Sequence, residues 1–146
     1  MPPRTEQLSV FPAFFRVEGR TASVFGNGDE AFAKVRLLMN TQAKIVAYAQ
    51  TPEADYHSFL IANRIATVRG EFSAEQVKGA TLVFAATGDA EADRAIVDAA
   101  RAERIPANAV DQPDYCDFYT PALVNRAPVA VAIGPDHAVY IADTGN

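Results

Sequence analysis

What this sequence has little of excludes several classes of protein. It contains one cysteine, two histidines and no tryptophan. A single thiol, Cys116, cannot build a disulfide framework or a cysteine knuckle for zinc, and without an evident histidine partner it is not expected to be a catalytic thiol. The two isolated histidines, His57 and His137, make no metal site, so we expect ordinary solvent-facing side chains.

The sequence also lacks a concentrated positive patch and a long hydrophobic run. Its 13 Lys and Arg residues are scattered and are outnumbered by 18 Asp and Glu residues, for a net charge of −5. Nucleic-acid and anionic membrane surfaces need clustered positive charge. The longest apolar stretches, 81–86 and 129–133, fall far short of the roughly 20 residues of a membrane span. No secretory signal pattern is present. We therefore expect a cytoplasmic protein with no nucleic-acid or membrane partner.

What is present is an alternation of short apolar runs with amphipathic segments. Helical periodicity begins at Glu30, after residues 51–53 and at 91–103, and a capping box from Ser73 to Gln76 starts a short helix that ends at Gly79. Residues 112–128 hold three prolines and are expected to form a loop with one helical turn. Six strands are predicted, at residues 21–25, 44–49, 65–69, 81–86, 106–110 and 129–133.

Strands that alternate with helices form a parallel sheet, because each parallel connection needs a crossover and right-handed crossovers place helices on both faces. The sequence therefore predicts an α/β domain of the Rossmann type, doubly wound around a mostly parallel sheet in three αβα layers.

The first strand is followed by a glycine-rich turn, Gly26-Asn27-Gly28-Asp29-Glu30-Ala31. In a GxGxxA turn between strand and helix, the first glycine permits the tight turn and the second lets the backbone approach a pyrophosphate, while the small third residue allows close packing of helix on strand. The helix N-terminus would then face the phosphates. The turn predicts a dinucleotide site. The alternative is a purely structural glycine turn in a flavodoxin-like or receiver-like fold.

One part of the dinucleotide fingerprint is missing. An Asp or Glu usually ends the second strand, about 20 residues on, and binds the adenine ribose. Residues 47–51 read AYAQT and contain no acid, although Gln50 and Thr51 could supply hydrogen bonds. No Arg stands there to favour a 2′-phosphate, so the motif leaves NAD and NADP both open.

Polar residues also follow the fourth and fifth strands, at the edge where open α/β sheets bind ligands. Asp111 could accept a proton as hydride leaves a substrate, or bind a hard cation; alternatively, it only turns the chain before Pro113. Thr87 is assigned to the cofactor site, and Asp89 either lines the cleft or, as we expect, caps the next helix. Asp114 and Asp117 could form an acidic cluster with Asp111, but a solvated loop is the commoner outcome and is expected here.

Four stretches of the chain resemble one known family. They are residues 24–31 (VFGNGDEA), 82–89 (LVFAATGD), 108–113 (NAVDQP) and 118–133 (FYTPALVNRAPVAVAI). Together they resemble the precorrin-2 dehydrogenase/sirohydrochlorin ferrochelatase family, which includes the N-terminal module of siroheme synthase and its stand-alone relatives. The last two stretches are the more specific, because a generic Rossmann domain does not require them. The resemblance covers about residues 8–133.

The resemblance implies a concrete activity. Members of this family oxidise precorrin-2 to sirohydrochlorin with NAD, and many then insert ferrous iron to give sirohaem. The family's functional aspartate corresponds to Asp111, implicated in catalysis of both steps and therefore in a transient metal contact. The NAD contacts correspond to Asp29 and Glu30 and to Gln50 and Thr51. The complete set of expected cofactor-binding residues is Gly26, Asn27, Gly28, Asp29, Glu30, Gln50, Thr51 and Thr87.

The sequence departs from the family pattern in two places. Asn27 replaces the middle glycine of the family's turn, at a position that the general fingerprint leaves variable. After Ile133 the pattern is lost, so residues 1–133 are predicted to be the NAD-binding domain and 134–146 a divergent tail. Relatives continue there into a dimerisation segment and a helical domain, and their homodimer completes the cleft for the tetrapyrrole. Because the glycine site is local, we expect the absence of these segments to impair NAD binding less than dimerisation or catalysis.

A non-catalytic, regulatory NAD(H)-binding module is the alternative function. Asp111 and the 118–128 loop distinguish the two hypotheses, because a pure sensor needs neither.

Overall fold

A computed structural model describes residues 7–120, 122–126, 129–133 and 139–143, with side chains for 7–120. The strands and helices alternate as predicted up to the fifth strand. In chain order they are β1 (Thr21–Phe25), α1 (Asp29–Leu38), β2 (Lys44–Tyr48), α2 (Ala54–Ala62), β3 (Ala66–Val68), a 3₁₀ helix (Ala74–Val77), β4 (Ala80–Ala85), α3 (Ala90–Ala102), β5 (Ala107–Ala109) and a 3₁₀ turn (Pro113–Tyr115).

The first five strands form one parallel sheet in the order β3-β2-β1-β4-β5. The chain moves outward from β1 through β2 to β3, and then returns to place β4 on the other side of β1. The chain therefore leaves the carboxyl ends of the neighbouring strands β1 and β4 in opposite directions. This is a topological switch point, where such sheets bind ligands. The predicted Rossmann-type fold is confirmed.

Helices cover both faces of this sheet, because alternate strand residues point to opposite sides. On one face, Val24 and Phe84 pack with Val35 of α1 and Leu60 of α2 in one buried cluster. On the other face, a second cluster joins the strands to α3 and the 3₁₀ helix; it contains Phe25, Val77, Val83, Ile96, Val97 and Ala100. Two packed cores thus fix the sheet and hold its carboxyl edge, where the strand-to-helix turns lie.

Two local predictions differ from the structure. The capping box of Ser73 and Gln76 forms, but it begins a single 3₁₀ turn, and not an α-helix. The segment predicted as a loop contains a strand, β6 (Ala122–Arg126), which pairs antiparallel with β7 (Val129–Ile133). The predicted sixth strand, β7, therefore forms, but outside the parallel sheet, because the two residues between β6 and β7 cannot make a crossover.

A further strand, β8 (Val139–Asp143), lies within the predicted tail and also pairs antiparallel with β7. This pairing crosses the predicted boundary between residues 133 and 134, and the boundary itself stays a prediction. In the described part of the chain, no helix combines the length and apolar character needed to cross a membrane.

Candidate dinucleotide site

The turn after β1 requires glycine at its first position. Gly26 has a φ of 147°, and a Cβ there would lie 2.0 Å from the carbonyl oxygen of Ala86. The same backbone is held on both sides, because Gly26 N donates to the Tyr48 oxygen over 3.0 Å and Ala86 N donates to the Phe25 oxygen over 2.8 Å. The ends of β1, β2 and β4 thus converge at one glycine.

The second glycine begins a helix whose N-terminus is open. Gly28 is the N-cap of α1 in an extended conformation and no side chain caps the helix there. The first N–H groups of a helix have no partner within it, so these donors and the positive end of the helix dipole are available to an anion. Ala31, at the small third position, is fully buried against the sheet. The turn has the geometry that a dinucleotide site requires.

The loop after β2 is fastened to this turn by Asn27. The backbone N–H of Thr51 donates to Asn27 Oδ1 over 3.0 Å, and the backbone N–H of Glu53 donates to the Asn27 carbonyl oxygen over 2.8 Å. Gln50 and Thr51 are both exposed at this edge. The side chain at the middle position of the turn therefore has a structural role that glycine could not fill.

A cleft of about 160 Å³ opens beside the turn. The ring of Phe25 stacks on Tyr48 with centroids 4.5 Å apart and meets Phe72 edge-on at 5.6 Å, so the cleft has an aromatic wall. Four of the predicted cofactor-binding residues line it together, namely Gly26, Asn27, Gln50 and Thr87, and the other lining residues include Tyr48, Gly70, Phe72 and Gln76. The sequence reasoning missed Phe72 and Gln76, which follow the short third strand.

Two carboxylates, those of Asp89 and Asp93, accept hydrogen bonds from the turn after β4 and from the first turn of α3. Asp89 is the N-cap of α3, and its side chain accepts from the N–H groups of Glu91 and Ala92, as expected of a cap. Asp93, which the sequence reasoning did not single out, is buried and accepts from both N and Oγ1 of Thr87 through Oδ1. Burial raises the pKa of Asp93, and the two hydrogen bonds from Thr87 oppose that shift.

Asp111 follows β5 at the same edge of the sheet. It is exposed and has a φ of 61°, in the left-handed region that residues other than glycine rarely occupy. Its carboxylate lies close enough to that of Glu30, in the first turn of α1, for the two charges to interact. Partial burial and the nearby charge of Asp111 raise the pKa of Glu30. The fold thus joins a residue of the glycine turn to the residue predicted to be catalytic.

Lys34 completes this group one turn further along α1. Its Nζ donates to Thr120 Oγ1 over 2.8 Å, and its charge interacts with those of Asp111 and Glu30. Burial lowers the pKa of Lys34, and the neighbouring carboxylates work against that shift. Two carboxyl groups and one ammonium group therefore share the edge between α1 and β5.

The remaining candidate functional residues that the structure describes make contacts elsewhere in the fold. The Cys116 thiol donates to the Ala109 oxygen over 3.2 Å, and burial raises its pKa, so it is not an activated nucleophile. Asp117 pairs with Arg101 and accepts from the backbone of Ala107. His57 lies in α2 and contacts the guanidinium of Arg69, while His137 lies outside the described residues. Within the described ranges, no three His, Cys, Asp or Glu residues are grouped to hold a metal ion.

Comparison with solved structures gives the same architecture. A chain titled "SirC, precorrin-2 dehydrogenase" superimposes with a TM-score of 0.74 at 21% sequence identity, over 88% of this chain and 63% of the other. At this identity the likeness shows the fold.

Comparison with curated sequences identifies longer relatives. The chain is 36% identical over 126 residues to the siroheme synthase of Methylobacillus flagellatus and 38% identical over 135 residues to that of Gluconacetobacter diazotrophicus. These alignments cover 86% and 90% of this chain but only 27% and 29% of the relatives. The predicted resemblance to the N-terminal module of siroheme synthase is confirmed.

A protein family described as "Putative NAD(P)-binding" matches residues 13–122, a range that contains the glycine turn, the cleft and Asp111. The chain belongs to this NAD(P)-binding family.

Proposed function

We propose that this chain binds NAD at the Gly26–Ala31 turn and oxidises precorrin-2 to sirohydrochlorin, the dehydrogenation step of siroheme biosynthesis. The observation that carries the proposal is the proximity of Glu30 to Asp111, which places a residue of the glycine turn and an exposed carboxylate after β5 at the same edge of the sheet. The siroheme synthase relatives and the structural likeness to a precorrin-2 dehydrogenase supply the reaction and the tetrapyrrole substrate.

The residues of the turn fit a dinucleotide. The uncapped N-terminus of α1 offers free N–H donors, Gly28 has no Cβ to obstruct a pyrophosphate, and the adjoining cleft has an aromatic wall suited to a flat ring. When bound, NAD⁺ supplies the hydride acceptor. A dinucleotide that extends from this turn across the carboxyl edge would pass Thr87 and reach the end of β5.

We assign to Asp111 the role of proton acceptor. Oxidation of precorrin-2 breaks C–H bonds, and for each hydride that leaves with its electron pair a proton must pass to a base. A carboxylate oxygen of Asp111 accepts that proton. The charge of the Lys34 ammonium interacts with those of both carboxyl groups and balances their negative charge.

The backbone of Asp111 determines how its side chain is presented. Its φ of 61° lies in the left-handed region, which aspartate enters more readily than most residues, so the chain turns sharply after β5. This turn exposes the Asp111 side chain, whereas Asn108, in the strand before it, is buried and donates to the Phe118 oxygen. Packing thus fixes the end of β5 while the carboxylate faces solvent at the sheet edge.

The test is an absorbance assay of sirohydrochlorin and NADH formation from precorrin-2 and NAD⁺, on this chain and on Asp111→Asn. We expect the substitution to lower turnover at least about 100-fold, the usual contribution of a positioned base, and to leave NAD⁺ affinity unchanged. The matched control is Asp114→Asn, an exposed acid of the same loop, which should leave turnover unchanged.

Two results would contradict the proposal. Full turnover by Asp111→Asn would remove the assigned role of Asp111. A wild-type chain that binds NAD⁺ but does not oxidise precorrin-2, even when joined to the remainder of a siroheme synthase, would favour the regulatory NAD(H)-binding module instead.

Insertion of ferrous iron, a homodimer and a cytoplasmic location stay predictions from the sequence and the resemblance. Within the described ranges no group of three or more metal-ligand residues occurs, and the transient contact of iron with Asp111 likewise stays a prediction from the resemblance.

A further inference from the structure

We propose that Glu53 supplies the ribose-binding acid that is missing from the end of β2, and that it selects NAD over NADP. This inference rests on the proposed dinucleotide site. Glu53 lies slightly beyond the position of the usual acid, in the N-cap position of α2, and so was not recognised from the sequence.

The Glu53 carboxylate lies directly against the second glycine of the turn. Its Oε1 is 3.1 Å from the position that a Cβ of Gly28 would occupy, and its Cδ and Oε2 are at 3.4 and 3.7 Å. The absence of that Cβ is what lets a dinucleotide approach the backbone. The carboxylate therefore lies beside the point where a pyrophosphate would approach the backbone, at the start of the helix that follows β2, the strand after which this fold binds the adenine ribose.

Asn27 holds Glu53 in this place. The Asn27 carbonyl oxygen accepts from the backbone N–H of Glu53 over 2.8 Å, and its side-chain oxygen accepts from the backbone N–H of Thr51 over 3.0 Å. Pro52, between the two donors, restricts the backbone of the intervening loop. The turn and the start of α2 are thus fixed relative to each other before any ligand binds.

The carboxylate is free to accept hydrogen bonds from a ligand. Across the described residues Glu53 makes no side-chain hydrogen bond or ion pair, and it is exposed. An ionised carboxylate has only acceptor sites, so it matches the two hydroxyl donors of an adenine ribose. A 2′-phosphate at the same place would meet a like charge and no donor, which disfavours NADP.

The experiment is calorimetric titration of the wild-type chain and of Glu53→Gln with NAD⁺ and, separately, with NADP⁺. We expect the wild type to prefer NAD⁺. We expect Glu53→Gln to weaken NAD⁺ binding about tenfold or more, as for loss of hydrogen bonds to a charged group, and to weaken NADP⁺ binding less. Asp55→Asn is the matched control, because it removes the same charge from the first turn of the same helix; it should leave the ratio of the two affinities unchanged.

The possible results separate this inference from the proposal on which it rests. Wild-type binding of NAD⁺ with an unchanged affinity ratio in Glu53→Gln would overturn the role of Glu53 alone. An equal shift of the ratio in Asp55→Asn would also overturn it, because the effect would then be one of general charge. Failure of the wild type to bind either dinucleotide would overturn the dinucleotide site and this inference together.

Discussion

Two strand-to-helix junctions flank the switch point of the sheet, and they differ in how the helix begins. After β1, α1 starts at Gly28 with no side-chain cap. After β4, α3 starts at Asp89, whose carboxylate accepts from two of the first N–H groups, and Asp93 bonds the turn itself through Thr87. Both helices begin at the ligand-binding edge, but among the described residues no side chain accepts from the first N–H groups of α1, whereas Asp89 accepts from two of those of α3.

The difference shows how similar folding units acquire different roles. At the N-terminus of α3 the Asp89 carboxylate already accepts from two of the first N–H groups, so fewer donors remain there for an anion. The N-terminus of α1 depends on glycine to bring the backbone within reach of a ligand. Under the proposed function the N-terminus of α1 binds the dinucleotide, whereas the Asp89 and Asp93 carboxylates stabilise the turn after β4 and the start of α3. Substitutions at the two junctions should therefore differ in how they affect stability and NAD⁺ affinity.

The largest effect is expected from Gly26→Ala. The new Cβ would lie 2.0 Å from the Ala86 oxygen, and the backbone has a φ of 147°. Because backbone atoms cannot yield easily, we expect the free energy of unfolding to fall by about 4 kcal/mol. Chemical denaturation measures this change.

Gly88→Ala is the matched control at the β4 junction. Gly88 has a φ of 82°, but a Cβ there would meet nothing within 4 Å. Only the left-handed backbone is then strained, at a cost of about 1 kcal/mol. Equal losses for the two alanine variants would contradict the close approach of β1 and β4.

The next effect is expected from Asp93→Ala. This change leaves the N–H and hydroxyl of Thr87 without their acceptor, so we expect a loss of about 2 kcal/mol in the free energy of unfolding. Asp93→Asn retains an oxygen at the same place and should cost less. Denaturation of both variants at neutral pH tests the comparison.

The pH dependence of Asp93→Asn sharpens this test. A raised carboxyl pKa means that the folded chain binds the proton more tightly than the unfolded chain. The contribution of Asp93 to stability is then present at low pH and is lost as the pH rises from 3.8, its ordinary value, through the raised folded pKa. Asn does not titrate, so stability should shift in favour of the variant across this window. A constant difference would show that the burial of Asp93 has no electrostatic cost.

The smallest effect on stability is expected from Asp89→Ala, which removes the cap of α3. Loss of an N-cap side chain costs about 1 kcal/mol. NAD⁺ affinity should not fall, since the cleft is lined at this junction by Thr87 and not by Asp89. Thermal denaturation and a parallel NAD⁺ titration check both statements, and a large loss of affinity would mean that the cap of α3 also contributes to the cofactor site.

The junction between β1 and α1 was predicted well from the sequence, because the residues that define it are close together in the chain. Gly26 is needed where the backbone of β1 approaches that after β4, and the spacing of Gly26 and Gly28 between a strand and a helix is visible in the sequence. Likewise, the alternation of strands with helices predicted the parallel sheet, and Asp89 was recognised as a cap from its position before a helix. These features depend on neighbours in the chain.

The residues that were missed depend on distant contacts. Glu53 reaches Gly28 only because Asn27 fastens the loop after β2, and Lys34 meets Thr120 across 86 positions of sequence. The strand β6 was mistaken for a loop because its flanking prolines outweighed a short apolar run. Sequence periodicity does not indicate contacts between residues that are far apart in the chain. These contacts become evident only when the strand pairing and the edge of the folded sheet are known.

The central claim is that the open N-terminus of α1 binds the dinucleotide, and calorimetric titration of the wild-type chain and of Gly28→Ala with NAD⁺ tests it most directly. The added Cβ would meet only the end of the flexible Glu53 side chain, at 3.1 Å, so the variant should fold with nearly unchanged stability. We predict that the wild type binds NAD⁺ and that Gly28→Ala binds at least about tenfold more weakly, because the pyrophosphate can no longer approach the backbone. Equal affinity in the two proteins, or no binding by the wild type at millimolar NAD⁺, would contradict the account.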